Sequence, residues 1–355
     1  MRKKTIFLFY FIVTFLIPFK VRAYECAIVI DADSGRTLYE KNADERRLIA
    51  STTKILTTLV VLNNARLDDT VTVTDEILKA YGSSIYIKPG EKFTVEDLLY
   101  GLMLRSGNDA AIALAVYVAG SEEGFAVLMN ETAKNIGMLN SSFSNPHGLD
   151  DENENKSTVR DMALLMKRAM ENEDFRKITS TKKYVTKSNF GSFEWYNKNR
   201  LLTDYKYATG GKIGYTTRAR HTFVSSATKD EKNLIIATFV DPDRFDTHET
   251  LYEKYFSLYK KYTLIDKNNL DINYKNGYRL FTSESFSMLL SDDEANRVKR
   301  EVSLYENVKH INDGTVIGSV SISLDGVTYK RLKIYADAIT VKKSFWTKIK
   351  EFLKW

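Results

Sequence analysis

The chain has little with which to cross-link itself or to span a bilayer. Its single cysteine, Cys26, excludes an intrachain disulfide. The run Cys26-Ala27-Ile28-Val29-Ile30 reads as a buried strand, with the thiol acting as a small hydrophobe. Cys26 does not directly follow a small-residue cleavage site, so a lipoprotein anchor is not implied. The apolar stretch at 6–18 falls short of the ~20 residues that a spanning helix needs. It follows Arg2-Lys3-Lys4 and precedes Val21-Arg22-Ala23, so residues 1–23 read as a secretory signal peptide cleaved after Ala23; an uncleaved anchor is the alternative. No acid lies in that segment, and without its five cations the formal charge of +6 falls to about +1. Residues 342–355 hold five lysines against one glutamate, so the remaining body is slightly acidic. A nucleic-acid-binding surface is not implied by this distribution.

A length of 355 residues supports two domains with a real core, and 43% hydrophobic with 28% charged residues is a globular composition. After the first strand, Asp31-Ala32-Asp33-Ser34-Gly35 is turn chemistry and 36–40 a return strand. A buried helix opens at Ser51 and runs to about Ala65. Thr94-Val95-Glu96-Asp97 is a capping box that starts a helix through Leu104. Ser106-Gly107-Asn108 makes a tight turn before a second apolar helix that Gly120 ends, with Asn108 or Asp109 as its N-cap. Further helices are expected over 125–136, 159–170 and 251–262. Asn145-Pro146-His147-Gly148-Leu149 is a loop, and 184–195 a hairpin around Gly191. Strands are expected at 208–216, 222–227 and 234–240. Glycines weaken a strand unless something must approach it closely, and Gly211 and Gly214 flank Lys212, so this edge suits an extended peptide added as a further strand. From about 264 the pattern changes to hairpins, at Asn276-Gly277 and Asp325-Gly326, which sets 264–340 apart as a small β-rich domain.

One stretch breaks two local rules. Lys54 stands in the first turn of its helix, where a cation opposes the macrodipole. It also stands beside Ile55, Leu56, Leu59 and Val60, where its charge must be desolvated. No carboxylate lies three or four residues away; the helical neighbour is Ser51, at i−3. A desolvated lysine has a lowered pKa and becomes a neutral base, which is what a serine hydroxyl needs to act as a nucleophile. A structural lysine bonded to backbone carbonyls is the plainer reading of that pair taken alone.

Three motifs then stand in order: Ser51-x-x-Lys54, Ser106-Gly107-Asn108 and Lys212-Ile213-Gly214. This trio is similar to that of the penicillin-binding proteins and class A β-lactamases. The wider stretches Ala50-Ser51-Thr52-Thr53-Lys54, Leu104-Arg105-Ser106-Gly107-Asn108-Asp109-Ala110, Asn145-Pro146-His147-Gly148-Leu149 and Gly210-Gly211-Lys212-x-Gly214-Tyr215-Thr216 resemble the D-alanyl-D-alanine carboxypeptidases, the low-molecular-mass penicillin-binding proteins. The resemblance covers 24–262. It implies an α/β (α+β) fold of the β-lactamase/transpeptidase type, an antiparallel sheet with a helical subdomain, followed by a β stalk and a membrane-attached tail.

The resemblance implies removal of the terminal D-alanine from peptidoglycan stem pentapeptides through an acyl-enzyme, and binding of β-lactam antibiotics, with no cofactor and no metal. In that scheme Ser51 is the nucleophile, Lys54 its base and Ser106 a proton relay, while Asn108 holds the substrate amide and Lys54. Lys212, Gly214, Tyr215, Thr216 and Arg244 bind substrate, the backbone N–H groups of Ser51 and Tyr215 forming the oxyanion hole. Arg244 is matched across a gap to the family's carboxylate-binding arginine, and His147 is a loop anchor. One position departs from the pattern: Ile213 replaces a threonine or serine, which removes a hydroxyl from the cleft opposite Ser51. Thr216 or Arg244 would have to stand in for it, and an uncompensated loss is worth about 1.5–3 kcal/mol, or about 10- to 100-fold. Two alternatives follow: a weakened peptidoglycan-binding protein of the same fold, or a β-lactamase using Glu152, Glu154 or Glu171 to deacylate. In the tail, Phe345, Trp346, Ile349, Phe352 and Leu353 share one helical face and lysines the other, an interfacial helix suited to an anionic leaflet. The expected location is therefore extracytoplasmic, peripheral on the outer face of the cytoplasmic membrane, with a secreted form as the alternative.

Overall fold

The computed structural model describes residues 24–150, 154–272, 274, 277–306, 308 and 311–338. The expected signal peptide at 1–23, the tail helix at 342–355, Glu152 and Asn276 lie outside the described residues.

A five-stranded antiparallel sheet organises the first unit. Its strands are Cys26–Asp31 (β1), Thr37–Lys41 (β2), Ala208–Thr216 (β3), Arg220–Lys229 (β4) and Lys232–Phe239 (β5), in the order β2-β1-β5-β4-β3. β1 is buried at every position because the sheet is covered on both faces. Cys26, Ile28 and Ile30 join Val224, Ile235 and Ala237 in one core, while Val29 joins Phe223, Leu234 and Ile236 in a second. The period-two alternation of side chains divides the strand between two cores.

The first core is closed by Lys54–Asn64 (α1), Val95–Arg105 (α2), Asn108–Ala119 (α3), Glu122–Ile136 (α4), Val159–Met170 (α5) and Glu173–Ser180 (α6). α1 is buried from Lys54 through Val61, the signature of a helix enclosed by others. The expected capping box at α2 is present: Asp97 N donates to Thr94 Oγ1 at 3.1 Å and Thr94 N to Asp97 Oδ2 at 2.9 Å. The second core is closed by Arg244–Leu258 (α7), through Leu251, Tyr252, Tyr255 and Phe256.

Three local expectations change. Ser51 does not open the α-helix; it sits in a 3₁₀ turn, Ala50–Thr53, and α1 begins at Lys54. The N-cap of α3 is Gly107; Asn108 Oδ1 instead accepts from Lys54 of α1 and its Nδ2 donates to the Tyr81 carbonyl, while the Asp109 carboxylate accepts from Ile85 N. The closing helix ends at Leu258 rather than at 262; Lys260–Ile265 is a strand paired with Phe286–Leu290, where a ladder partner overrides the helical spacing.

Beyond α7 a four-stranded sheet runs in the order Tyr278–Phe281, Val327–Ala338, Thr315–Leu324, Lys299–Leu304, around a core of Ile317, Val320, Ile322 and Ile334. Its central hairpin turns at Asp325-Gly326, both at positive φ (50° and 84°), as a tight two-residue turn demands. Arg36 ties this unit to the first. Its Nη1 donates to the Leu289 carbonyl at 2.8 Å and its guanidinium pairs with Glu294, while Leu289 N donates to Asp31 Oδ2 at 3.0 Å. Among the described residues no single helix is long and apolar enough to cross a membrane.

Candidate active site

The site forms where the 3₁₀ turn meets the free edge of β3. Ala50 precedes Ser51 at φ +48°, a left-handed conformation that a non-glycine residue adopts only when its surroundings enforce it. The enforcement is visible. Thr222 Oγ1 on β4 donates to the Ile49 carbonyl at 2.9 Å, and the backbone at Gly148 passes so close that a Cβ there would fall 2.0 Å from the Ala50 oxygen. Gly214 makes a similar approach from β3: a Cβ on it would lie 2.9 Å from Ser51 N. The glycines serve the close contact that the strand pattern anticipates.

Lys54 is fully buried. Its Nζ donates to Asn108 Oδ1 at 2.7 Å and to the His147 carbonyl at 2.6 Å, and Ser51 Oγ lies 3.2 Å away. The orientation of Asn108 is set by its own amide, since Nδ2 donates to the Tyr81 carbonyl at 2.6 Å. Burial, and then the neighbouring charge of Lys212, hold Lys54 well below the usual lysine pKa, with Asp109 opposing them. A neutral amine has two N–H groups, and two carbonyl acceptors take both. In that neutral form the lone pair is left toward Ser51 Oγ, 3.2 Å away, the arrangement a general base requires. His147 therefore enters through its main chain; its ring lies 3.3 Å from Glu122 Oε2 and fixes the loop.

Ser106 closes α2 in the left-handed region, φ +64°, and is 4% exposed. It shares the turn with Asn108, whose side chain reaches Lys54 from the helical side. The strand side carries Lys212, buried, whose Nζ donates to the Ile213 carbonyl at 3.0 Å. Burial, and secondarily the charge of Lys198, lower its pKa to about 7.

Register then decides two points. Lys212 pairs with Val224 and Ile213 with Phe223, so their side chains lie on opposite faces of the sheet. Ile213 packs into the second core and does not face Ser51, contrary to the expectation from the motif. The His221 carbonyl accepts from Asp241 N on the β5 side at 3.0 Å, so the His221–Tyr215 pair is not a hydrogen-bonded one. Tyr215 N–H is accordingly turned to the free edge of β3, beside Ser51.

Thr216 is not available as a substitute donor: its hydroxyl bonds Asp150 Oδ2 at 2.7 Å. Arg244 begins α7 on the far face, stacked on Phe245 at 4.6 Å, apart from the lysines. Glu154 is paired with Lys156 and Arg218, and Glu171 with Lys167 and Arg168, so neither serves as a deacylating base. Sequence reasoning missed Lys198, whose Nζ reaches Ser83 Oγ at 3.3 Å and whose charge acts on both buried lysines. It also missed Tyr81, which orients Asn108. No periodicity marks either residue.

The family model described as D-alanyl-D-alanine carboxypeptidase matches residues 17–242, and the penicillin-binding protein 5 C-terminal domain matches 254–342. The chain belongs to the D-alanyl-D-alanine carboxypeptidase family. It is 33% identical to D-alanyl-D-alanine carboxypeptidase DacF of Bacillus subtilis over 91% of this chain and 87% of that one. It is 32% identical to DacC of Escherichia coli, over 92% and 86%. Penicillin-binding protein 5 of Haemophilus influenzae superposes with a TM-score of 0.74 at 27% identity, covering 89% of this chain and 96% of that one. As a member of this carboxypeptidase family the chain is a serine-type D-Ala-D-Ala hydrolase of the penicillin-binding class, with a mixed α/β fold and a C-terminal β unit. The non-catalytic alternative is not favoured: its one support, Ile213, packs into the second core, away from Ser51.

Proposed function

We propose that Ser51 is the acyl-accepting nucleophile and that Lys54, neutral and buried, is its base. The supporting observation is the Lys54 amine held by two carbonyls with its remaining valence toward Ser51 Oγ, 3.2 Å away. The substrate is a stem pentapeptide laid along the β3 edge. Ser51 Oγ attacks the penultimate D-alanine carbonyl as its proton passes to Lys54 Nζ. The tetrahedral oxyanion is met by the N–H groups of Ser51 and Tyr215. Collapse breaks the peptide bond, Ser106 relays a proton to the leaving D-alanine amine, and water then frees the acyl group. Asn108 holds the substrate amide, Lys212 and Gly214 shape the strand side, Thr216 fixes the turn after β3 through Asp150, and Arg244 attracts the terminal carboxylate.

The domain reading goes with it: a signal peptide at 1–23, a peptidase unit at 24–262, a β stalk at 264–340 and a membrane-attached helix at 342–355. This places the enzyme outside the cytoplasmic membrane, held peripherally on its outer face. Intact-mass spectrometry after penicillin treatment, with a D-alanine release assay on a pentapeptide, tests the chemistry. One adduct on the wild type, none on Ser51→Ala and measurable release are expected; an adduct that survives Ser51→Ala refutes the assignment.

A further inference from the structure

Among the described residues five buried side-chain nitrogen or oxygen atoms have no hydrogen-bond partner, and three of them gather in one place: His221 Nδ1, Asp241 Oδ2 and Arg244 Nε. That place is the start of β4, the end of β5 and the start of α7. Buried polar atoms are rarely left unpaired, so a cluster of them marks a polar site rather than ordinary packing. The residues are tied together: Asp241 N donates to the His221 carbonyl at 3.0 Å, and Arg244 Nη1 reaches the Pro242 carbonyl at 3.5 Å. A cavity of about 300 Å³ opens here, lined by Tyr215, Arg220, His221, Val240 and Pro242.

The cavity adjoins the reacting edge. The His221 and Tyr215 rings lie 4.6 Å apart on paired positions of β4 and β3. Ile213 is the diagonal neighbour of His221 on the same face, within about 7–8 Å by sheet geometry. Position 213 thus shares the face of His221 without itself lining the cavity. Arg220 lines the cavity, and Arg244 lies close enough to His221 for its charge to act on the imidazole, with Asp241 as the neighbouring carboxylate. Burial, and then the charge of Arg244, disfavour a cationic imidazole at His221, and its unpaired Nδ1 is the atom free to meet a ligand.

We propose that His221, together with Arg244, receives the free carboxylate at the end of the substrate, taking the part that the absent hydroxyl at position 213 plays in the family pattern. The inference rests on the D,D-peptidase reading above and adds a specificity determinant to it. It explains how the third motif tolerates isoleucine: the carboxylate donor has moved from β3 to the adjacent strand.

The test compares hydrolysis of a peptide ending in free D-alanine with that of the same peptide ending in D-alanine amide. His221→Phe keeps a ring against Tyr215 and loses the donor. Its preference for the acid over the amide is expected to fall by about 10- to 100-fold, mainly through KM. His221→Asn keeps a donor near the Nδ1 position and is expected to recover part of the preference, whereas the isosteric His221→Asp sets a carboxylate against the substrate's own and is expected to have less than Asn. A folded His221→Phe with wild-type preference overturns the proposal. Should His221→Phe fail to fold, equal preferences in the Asn and Asp variants overturn it instead. A wild type that forms no penicillin adduct at Ser51 refutes the peptidase reading and this inference with it; an adduct with unchanged preference refutes only the part assigned to His221.

Discussion

A methyl group at Gly214 would test whether the approach of β3 to the Ser51 turn creates the oxyanion hole. In Gly214→Ala the added carbon would lie 2.4 Å from Thr222 Oγ1, 2.9 Å from Ser51 N and 3.1 Å from Ala50 Cβ. None of these neighbours moves freely. The Thr222 hydroxyl is committed to the Ile49 carbonyl at 2.9 Å, and Ala50 is already at φ +48°. The edge and the turn must therefore separate, and with them the Ser51 and Tyr215 N–H groups. Loss of one oxyanion donor costs roughly 10²–10³ in rate, about 2.7–4 kcal/mol. Overpacking a core of this density costs about 1–3 kcal/mol of stability, so the variant is expected to remain folded. The assay is the second-order rate constant for acylation by a fluorescent penicillin, read beside a thermal melt. Acylation is expected to slow by two to three orders of magnitude with a modest fall in melting temperature. Gly191→Ala, whose Cβ meets nothing within 4 Å, is the control and should match the wild type. A folded Gly214→Ala that acylates at the wild-type rate would refute the argument.

Three other outcomes follow from the same structure. Lys212 titrates near 7 in the fold and near 10.4 when unfolded, so between those values the unfolded chain holds a proton the folded one has released, and stability rises with pH across that window. Lys212→Met removes the penalty: it should be more stable than the wild type by on the order of a few kcal/mol at pH 7, with the gap closing toward pH 10, and chemical denaturation that finds the same gap at both pH values contradicts the assignment. Arg36→Met leaves Glu294 without its guanidinium and the Leu289 carbonyl without its donor. A cost of about 1.5–3 kcal/mol should loosen the C-terminal unit, seen as new proteolytic cleavage beyond α7 with penicillin acylation retained; an unchanged digest sinks the idea. Deleting 342–355 should release the protein from vesicles containing anionic lipid while leaving acylation intact, and a truncated protein that still pellets with them would disprove the anchor.

The parts of the site legible in the sequence are those whose oddity is local. Lys54 stands out because a cation in an apolar first turn needs an explanation within four residues, no carboxylate is there, and Ser51 stands at i−3. Its hydrogen-bond partners, Asn108 Oδ1 and the His147 carbonyl, lie 54 and 93 positions away, and no local rule points to them. The capping box at Thr94 was readable because both of its halves lie within four residues. The end of α7 was not, because the alternation in Lys260–Ile265 gains its meaning from Phe286–Leu290 across the ladder.

Position 213 shows the same limit most sharply. Read along the chain, an isoleucine between the lysine and the glycine of the third motif looks like damage to the site. Read across the sheet, Lys212 and Ile213 belong to different faces: one side chain enters the cleft, the other seals the second core against Phe223. What the third motif must preserve for Ser51 is therefore backbone. The Ile213 carbonyl holds Lys212 Nζ at 3.0 Å, the missing side chain of Gly214 lets the strand touch the Ser51 turn, and Tyr215 turns its N–H to the edge. A side chain at 213 bears on the reaction only through the far face, where Tyr215, His221 and the start of α7 lie, so substitutions there should alter which carboxylates are accepted before they alter whether Ser51 is acylated.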